Sequence, residues 1–271
     1  LPLFLGFGCN VPAVMGTRII DSPRARLLTI LVAPLVPCTA RMAVVAVLAP
    51  LFFGQAAALV SWGLVGLSLV LLAVVGLLLH ELVLGGEHVA FIMELPLYHV
   101  PNARTVGLSV WQRMVAFLKK AGSIILAVSV AVWALSALPG GNIETSYLAQ
   151  IGRLLAPVGA LMGLEWQMML ALLTSFVAKE NTIATLGILY GAGEEGRGLG
   201  QALAGVLAPA AALAFLAVQV LFIPCAATMA VLRQETGSWR WTAFSAALLL
   251  VVSFTVGIAI YQVARLAGWG V

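Results

Sequence analysis

Four stretches of this chain, residues 54–79, 121–143, 198–232 and 241–264, contain no Asp, Glu, Lys or Arg, and the shortest runs to 23 residues. About 20 consecutive apolar residues in a helix cross the hydrocarbon core of a bilayer. Such runs constrain the fold more than any motif does, because a water-facing surface cannot be made from them. Of 271 residues, 14 are Lys or Arg and 10 are Asp or Glu, whereas soluble domains carry about a quarter charged residues. With 62% hydrophobic residues and a mean hydropathy of +1.10, a soluble enzyme and a disordered chain are both excluded. The alternating ten-residue strands of a membrane barrel are absent. The sequence predicts an all-α, polytopic membrane protein seated in the lipid bilayer.

Net charge +4 and a pI near 9.3 read here as topology, with no nucleic acid as partner. Arg18, Arg24 and Arg26 form one basic cluster, Arg104, Arg113, Lys119 and Lys120 a second, and Arg233 and Arg240 a third. The positive-inside rule puts all three on the cytoplasmic side. Segments near 53–55 and 139–146, without Lys or Arg, read as outside. Trp62, Trp111, Trp133, Trp166, Trp239 and Trp241 stand mostly near run ends, as interfacial anchors do. The chain begins at Leu1 with what reads as the tail of an apolar helix, preceded by no basic leader or cleavage site. It is expected to be part of a longer protein.

Helix breakers divide the runs. Gly8-Cys9-Asn10-Val11-Pro12 interrupts the first, Pro34 and Pro37 must break or kink residues 27–53, and Pro224 breaks residues 203–232. Residues 56–84 read as an uninterrupted span, and residues 166–190 as another with Lys179, Glu180 and Asn181 at its middle. Residues 85–103 read as a polar cytoplasmic loop. Residues 105–120 read as an amphipathic interfacial helix before a span at 121–138. Residues 151–164, too short to cross, form a candidate re-entrant segment. Cys9 and Cys225 each sit in a break followed by a short half-helix ending in Arg. This is a faint internal repeat of the kind that builds midplane sites in transporters.

All three cysteines follow a breaker: Gly8-Cys9, Pro37-Cys38 and Pro224-Cys225. Irregular backbone at membrane depth is tolerated only inside protein or beside a water-filled cavity, so each thiol is placed where a permeating species can meet it. Met42 and Met229 follow Cys38 and Cys225 by four residues, on one helical face. Sulfur ligands select soft or borderline metals such as Cu(I), Zn(II) and Fe(II) over Mg(II) or Ca(II). Cys and Met are also ordinary packing residues, and that reading stands beside the first.

Lys179 and Glu180 at membrane depth are costly; they mark either function or a structural ion pair with a residue such as Arg41 or Glu94. Glu180 and Asn181 together offer oxygen ligands. Arg41 suits a structural role, donating to carbonyls freed near Pro37, since a cationic lining repels a cation. His80, Glu81, Glu87, His88, Glu94 and His99 read as a solvated face, although neutral imidazoles beside carboxylates can receive an iron-type cation. No Gly-x-x-x-x-Gly-Lys-Ser/Thr loop, Gly-x-Ser-x-Gly elbow, His-Glu-x-x-His pair or Cys-x-x-Cys pair occurs. Nucleotide binding, hydrolysis and a closed zinc site therefore find no support in the sequence.

Five segments in order resemble the membrane domain of the ferrous iron transport protein B family. They are residues 6–18 (GFGCNVPAVMGTR), 26–40 (RLLTILVAPLVPCTA), 93–101 (MELPLYHVP), 178–191 (AKENTIATLGILYG) and 223–241 (IPCAATMAVLRQETGSWRW). The resemblance implies Fe(II) uptake across a bacterial inner membrane by a multi-pass protein with broken helices and two gate-type repeats. It divides the chain into the first gate end and following helices (1–84), a cytoplasmic loop with the interfacial helix (85–120), and a second gate-type repeat (121–271). In the family a cytosolic GTPase domain, a spacer and the first membrane helices precede this region. GTP and Mg(II) are thus expected only on an absent domain, and no cofactor on this chain.

Residue by residue, Cys9 matches the family's first gate cysteine and Cys38 the second. The family usually has Ser where Pro37 stands, and Leu-Pro where Met42 and Ala43 follow Arg41. Cys225 matches the late Pro-Cys, Glu180 the acidic residue of Ala-Lys-Glu, and Glu94 that of Glu-Leu-Pro. The implied site is a gate for Fe(II) lined by Cys9, Cys38 and Cys225. Met15, Met42 or Met229 serve as auxiliary sulfur ligands and Glu180 as charge compensation. Asn10, Pro12, Pro37, Arg41, Glu94, Lys179, Asn181 and Pro224 shape the gate. Expected partners are a GTPase domain or subunit, a small cytoplasmic accessory protein and further copies of the chain. Gate-type repeats also resemble nucleoside and other organic-solute transporters, whose site would rely on Asn10, Asn181, Gln219 and aromatic residues. A non-transporting membrane scaffold is the third alternative.

Overall fold

Proline-bearing breaks end helices throughout this chain, and the result is a series of half-helices in place of simple spans. The computed structural model describes residues 1–81, 102–138, 146–190, 203 and 207–268, and twelve helices lie among them. Cys9, in extended conformation, separates α1 (Pro2–Gly8) from α2 (Asn10–Gly16). α3 (Pro23–Val32) opens with proline in its first turn and with Ser22 Oγ accepting from the Ala25 N–H, both start signals of a helix. It tightens into a 3-10 turn over Ala33–Leu35, and the chain resumes after Cys38 as α4 (Thr39–Phe53). α5 (Ala57–Leu79) is uninterrupted. α6 (Ala103–Ala137) and α7 (Tyr147–Ala160) come next. α8 (Trp166–Thr174), α9 (Asn181–Leu189), α10 (Pro209–Leu221), α11 (Ala226–Thr236) and α12 (Trp239–Leu266) complete the order. Gly237 closes α11 at φ 64°, its N–H donating to the Arg233 carbonyl, a position glycine takes without steric cost.

The stretches Pro23–Leu79, Pro209–Thr236 and Trp239–Leu266 are long and apolar enough to cross a membrane. The breaks expected at Cys9, Pro37 and Pro224 are present. Two other expectations are overturned. Residues 166–190 are not one span: α8 ends at Thr174 and α9 begins at Asn181, so Lys179 and Glu180 stand in a break. The stretch 105–120 is not a separate interfacial helix, because α6 continues unbroken through Lys120 and Ala121. Its 35 residues extend about 50 Å at 1.5 Å per residue. Glu87, His88, Glu94 and His99 lie outside the described residues.

α10 is the centre of the packing. Ala210, Ala211, Ala212, Ala214, Phe215, Leu216, Ala217, Val218 and Val220 are all buried, and the helix packs against α12, α4 and α5. Small side chains let membrane helices approach closely where lipid supplies no hydrophobic drive. At the α10–α12 crossing Gly257 meets Val218, and a Cβ on Gly257 would also lie 2.8 Å from Met162 Sδ. Gly257→Val is expected to destabilise the protein by about 1–3 kcal/mol through overpacking. A lower melting midpoint in detergent checks this; an unchanged one contradicts the contact.

The helices form two repeats, α1–α5 and α8–α12, with α6 and α7 between them. Residues 9–16 (CNVPAVMG) align with 180–187 (ENTIATLG), sharing Asn, Ala and Gly, and 37–44 (PCTARMAV) align with 224–231 (PCAATMAV), identical at six of eight positions. On this alignment Cys9 stands opposite Glu180, and Cys38 opposite Cys225. This alignment pairs the breaks differently from the faint echo of Cys9 and Cys225. The repeats run in opposite directions. Arg26 near the start of α3 meets Glu235 at the end of α11, so α3–α4 leaves the end of the bundle at which α10–α11 arrives. The related pairs α4–α10 and α11–α3 both pack together.

Candidate functional site

Each of Cys9, Cys38, Glu180 and Cys225 is the residue immediately before a half-helix, preceding α2, α4, α9 and α11 respectively. The four corresponding positions of the inverted repeats thus present three sulfur atoms and one carboxylate. The three cysteines are free thiols and half-buried, and Glu180 is exposed. Cys9 and Cys225 pack on the same apolar cluster of Val11, Val14, Ile30, Ala33, Ala227, Val231 and Leu232. Among the described residues no group of three or more His, Cys, Asp or Glu is tight enough to hold a metal ion.

Hydrogen bonds join the breaks within each repeat. Thr39 Oγ1, at the start of α4, donates to the Phe7 carbonyl at 3.1 Å. In the second repeat the Ala226 N–H, at the start of α11, donates to the Phe176 carbonyl at 2.7 Å. Gln219 Nε2 adds a bond to Thr182 Oγ1 at 2.8 Å. The oxygens Asn10 Oδ1 and Gln219 Oε1 are buried without a hydrogen-bond partner among the described residues, an uncommon state for polar atoms. Asn10 Oδ1 belongs to the residue next to Cys9.

Two buried cations serve the carbonyls freed by these breaks. The last carbonyls of a helix have no partner within it and carry its negative dipole end. Arg41 is fully buried; its Nη1 donates to the Pro34 carbonyl and its Nη2 to the Phe222 carbonyl, each at 2.6 Å. Lys179, 2% exposed, donates to the Ile223 carbonyl at 2.7 Å and to Ser175 Oγ at 3.4 Å. Its ammonium also lies 5.2 Å from the centre of the Phe222 ring, a cation–π distance. Arg41 thus reaches one carbonyl just before Pro37 and a second one, 181 residues away, just before Pro224.

The remaining sequence-derived residues scatter around this centre. Pro37 and Pro224 are buried, Pro12 exposed and Asn181 half-buried. Met42 packs against the main apolar core, Met229 is half-buried, and Met15 is 39% exposed. Thr228 was not read from the sequence: its hydroxyl lies 3.3 Å from Cys225 Sγ. It occupies the place of Arg41 in the second repeat, and aligning the two Pro-Cys segments would have singled it out.

At one end of the bundle Glu235 joins the repeats. Arg18 Nη2 and Arg26 Nη2 donate to its two carboxylate oxygens at 2.6 and 2.7 Å, and Arg18 Nε approaches both at 3.0 Å. Two of the basic clusters expected on one side of the membrane are thereby at the same end.

Comparison with known proteins agrees with the residues. The family model described as ferrous iron transport protein B C terminus matches residues 61–113, and the model described as Gate, nucleoside recognition, matches residues 118–239. An Fe(2+) transporter FeoB of Methanocaldococcus jannaschii is 36% identical over 98% of this chain and 41% of its own length. One of Staphylococcus aureus is 36% identical over 98% of this chain and 40% of its own. A fusion protein of Porphyromonas gingivalis, named Fe(2+) transport protein A/Fe(2+) transporter FeoB, is 33% identical over 97% of this chain and 37% of its own. The chain thus spans about two fifths of the length of these curated relatives. No solved structure matches it. Its helical repeats and these matches place the chain in the membrane region of the ferrous iron transport protein B family, to which it belongs.

Proposed function

We propose that this chain forms the pathway by which ferrous iron crosses a bacterial inner membrane, as the multi-pass part of a larger transporter. The observation that carries the reading is the coincidence of Cys9, Glu180, Cys38 and Cys225 at the four corresponding breaks of two inverted repeats. Broken backbone there lines a cavity or lies within protein. Three thiols and a carboxylate make a donor set for a borderline cation such as Fe(II). Asn10 Oδ1 supplies a further oxygen beside Cys9.

A transported ion must be held strongly enough to enter and weakly enough to leave. Donors spread over four half-helices meet that requirement better than a closed cage, because the ion passes between partial ligand sets as the half-helices shift. Thiols bind metal well only as thiolates, so protons leave as iron binds. The clusters with Arg18, Arg26 and Arg233 face the cytoplasm in this reading. The energy comes from a GTPase domain elsewhere in the full protein. The Porphyromonas gingivalis fusion favours a small accessory protein as partner.

A second reading draws on the description of the Gate model, nucleoside recognition, with Asn10, Asn181 and Gln219 as the polar lining. Radiolabelled Fe(II) and uridine uptake into vesicles containing the full-length protein separates the two. Saturable, GTP-dependent Fe(II) uptake is expected. Uptake of uridine alone would overturn the iron reading, and uptake of neither would favour a scaffold.

A further inference from the structure

Arg41 is placed to do more than satisfy carbonyls. Its Nη1 reaches the Pro34 carbonyl, in the turn that ends α3, and its Nη2 the Phe222 carbonyl, at the end of α10. Those two half-helices are counterparts in the inverted repeats, and each leads within three or four residues to a cysteine, Cys38 or Cys225. One planar guanidinium therefore bridges the two repeats where their thiol-bearing segments begin. Arg41 itself lies in the first turn of α4, three residues after Cys38, so the bridge holds Cys38's own helix to the chain leading into Cys225.

The alternative is that Arg41 only caps stray carbonyls. Its counterpart Thr228 argues against this. The second repeat places a hydroxyl there, bonded to Cys225 Sγ at 3.3 Å, so the fold accommodates a neutral residue at that position. A buried guanidinium is the costlier choice, since its desolvation must be offset by well-formed hydrogen bonds. Its geometry is also what the task requires: a rigid fork with two parallel donors fixes a separation, which a single ammonium cannot do.

We infer that Arg41 is a positioning residue that fixes the spacing between Cys38 and Cys225, and so decides whether one divalent cation can engage both sulfurs. The inference rests on the iron-pathway reading for its function, but the spacing can be measured without iron. In the full-length protein in membranes, Cys38 and Cys225 are cross-linked with bifunctional thiol reagents of graded spacer length, and the linked peptides are quantified. Wild type is expected to favour one spacer length. Arg41→Lys and Arg41→Gln each keep one donor group, and are expected to shift or flatten that preference by about tenfold in relative yield, the equivalent of about 1.4 kcal/mol. Arg41→Ala is read only if it elutes as folded protein; the two milder variants keep the test decisive.

A length profile identical to wild type in both folded variants overturns the inference. Titration with Co(II), followed by the thiolate-to-metal absorption band, completes the test. In wild type a two-thiolate band is expected, falling to a one-thiolate band in Arg41→Gln. An altered cross-link profile with no thiolate band even in wild type would leave the spacing role standing and overturn the cysteine-pathway reading instead. A merely structural role would lower the yield of folded protein without changing the profile of what remains.

Discussion

Replacing Cys9 by serine in the full-length transporter is expected to cut ferrous iron uptake by about tenfold or more, about 1.4 kcal/mol in ligand terms, at unchanged expression. Cys9 is the residue before α2, a position that serine favours as a helix cap. The local fold should therefore survive and even gain a hydrogen bond. In the proposed pathway the change removes a soft sulfur ligand and leaves a hydroxyl that stays protonated and binds Fe(II) poorly. Cys38→Ser and Cys225→Ser, at the matching positions before α4 and α11, are expected to behave alike. Met15→Leu, on a side chain 39% exposed, should cost less than any of them. The measurement is initial-rate uptake of radiolabelled Fe(II) into vesicles, normalised to transporter content. Wild-type rates in the triple serine variant would sink the role assigned to the thiols.

Glu235→Ala is expected to produce the largest loss of stability among single changes at the bundle's end. Its side chain is 3% exposed while those of Arg18 and Arg26 are 54% and 34% exposed. Breaking a fully buried ion pair costs about 3–5 kcal/mol. Solvent around the two arginines reduces that figure, so a loss of about 1–3 kcal/mol is expected. A carboxylate in the last turn of a helix is disfavoured by the helix dipole, so Glu235 stands there only because two guanidinium groups from the opposite repeat meet it. A double-mutant cycle with Arg26→Ala, read by thermal unfolding in detergent, should give a coupling energy above about 0.5 kcal/mol. Independent, additive effects would mean that the carboxylate does not join the repeats.

The helix breaks at Pro37 and Pro224 were legible because proline acts locally: it removes an N–H and clashes with the preceding turn whatever surrounds it. The break between α8 and α9 was not. Residues 175–180 (SFVAKE) contain neither Pro nor Gly, and their propensities allow a helix. The chain opens there because another segment takes up its backbone and fixes its lysine. The Ala226 N–H binds the Phe176 carbonyl, and Lys179 binds the Ile223 carbonyl. These are contacts between residues some fifty positions apart. The match between Glu180 and Cys9 was equally hard to see, since it pairs unlike residues and carries weight only beside the closer match of the two Pro-Cys segments.

Composition and breakers alone determined the solvent and the helical class, and they picked out the three cysteines as residues at helix breaks. Both follow from effects that act residue by residue: the transfer cost of charge into hydrocarbon and the stiffness of proline. Tertiary structure alone decided that the chain opens between α8 and α9, that Glu180 stands before a half-helix as the three cysteines do, and that Arg41 reaches the carbonyls of both Pro34 and Phe222. Those outcomes depend on which freed carbonyl lies within reach of which donor, and that is settled only when the half-helices of the two repeats pack against each other.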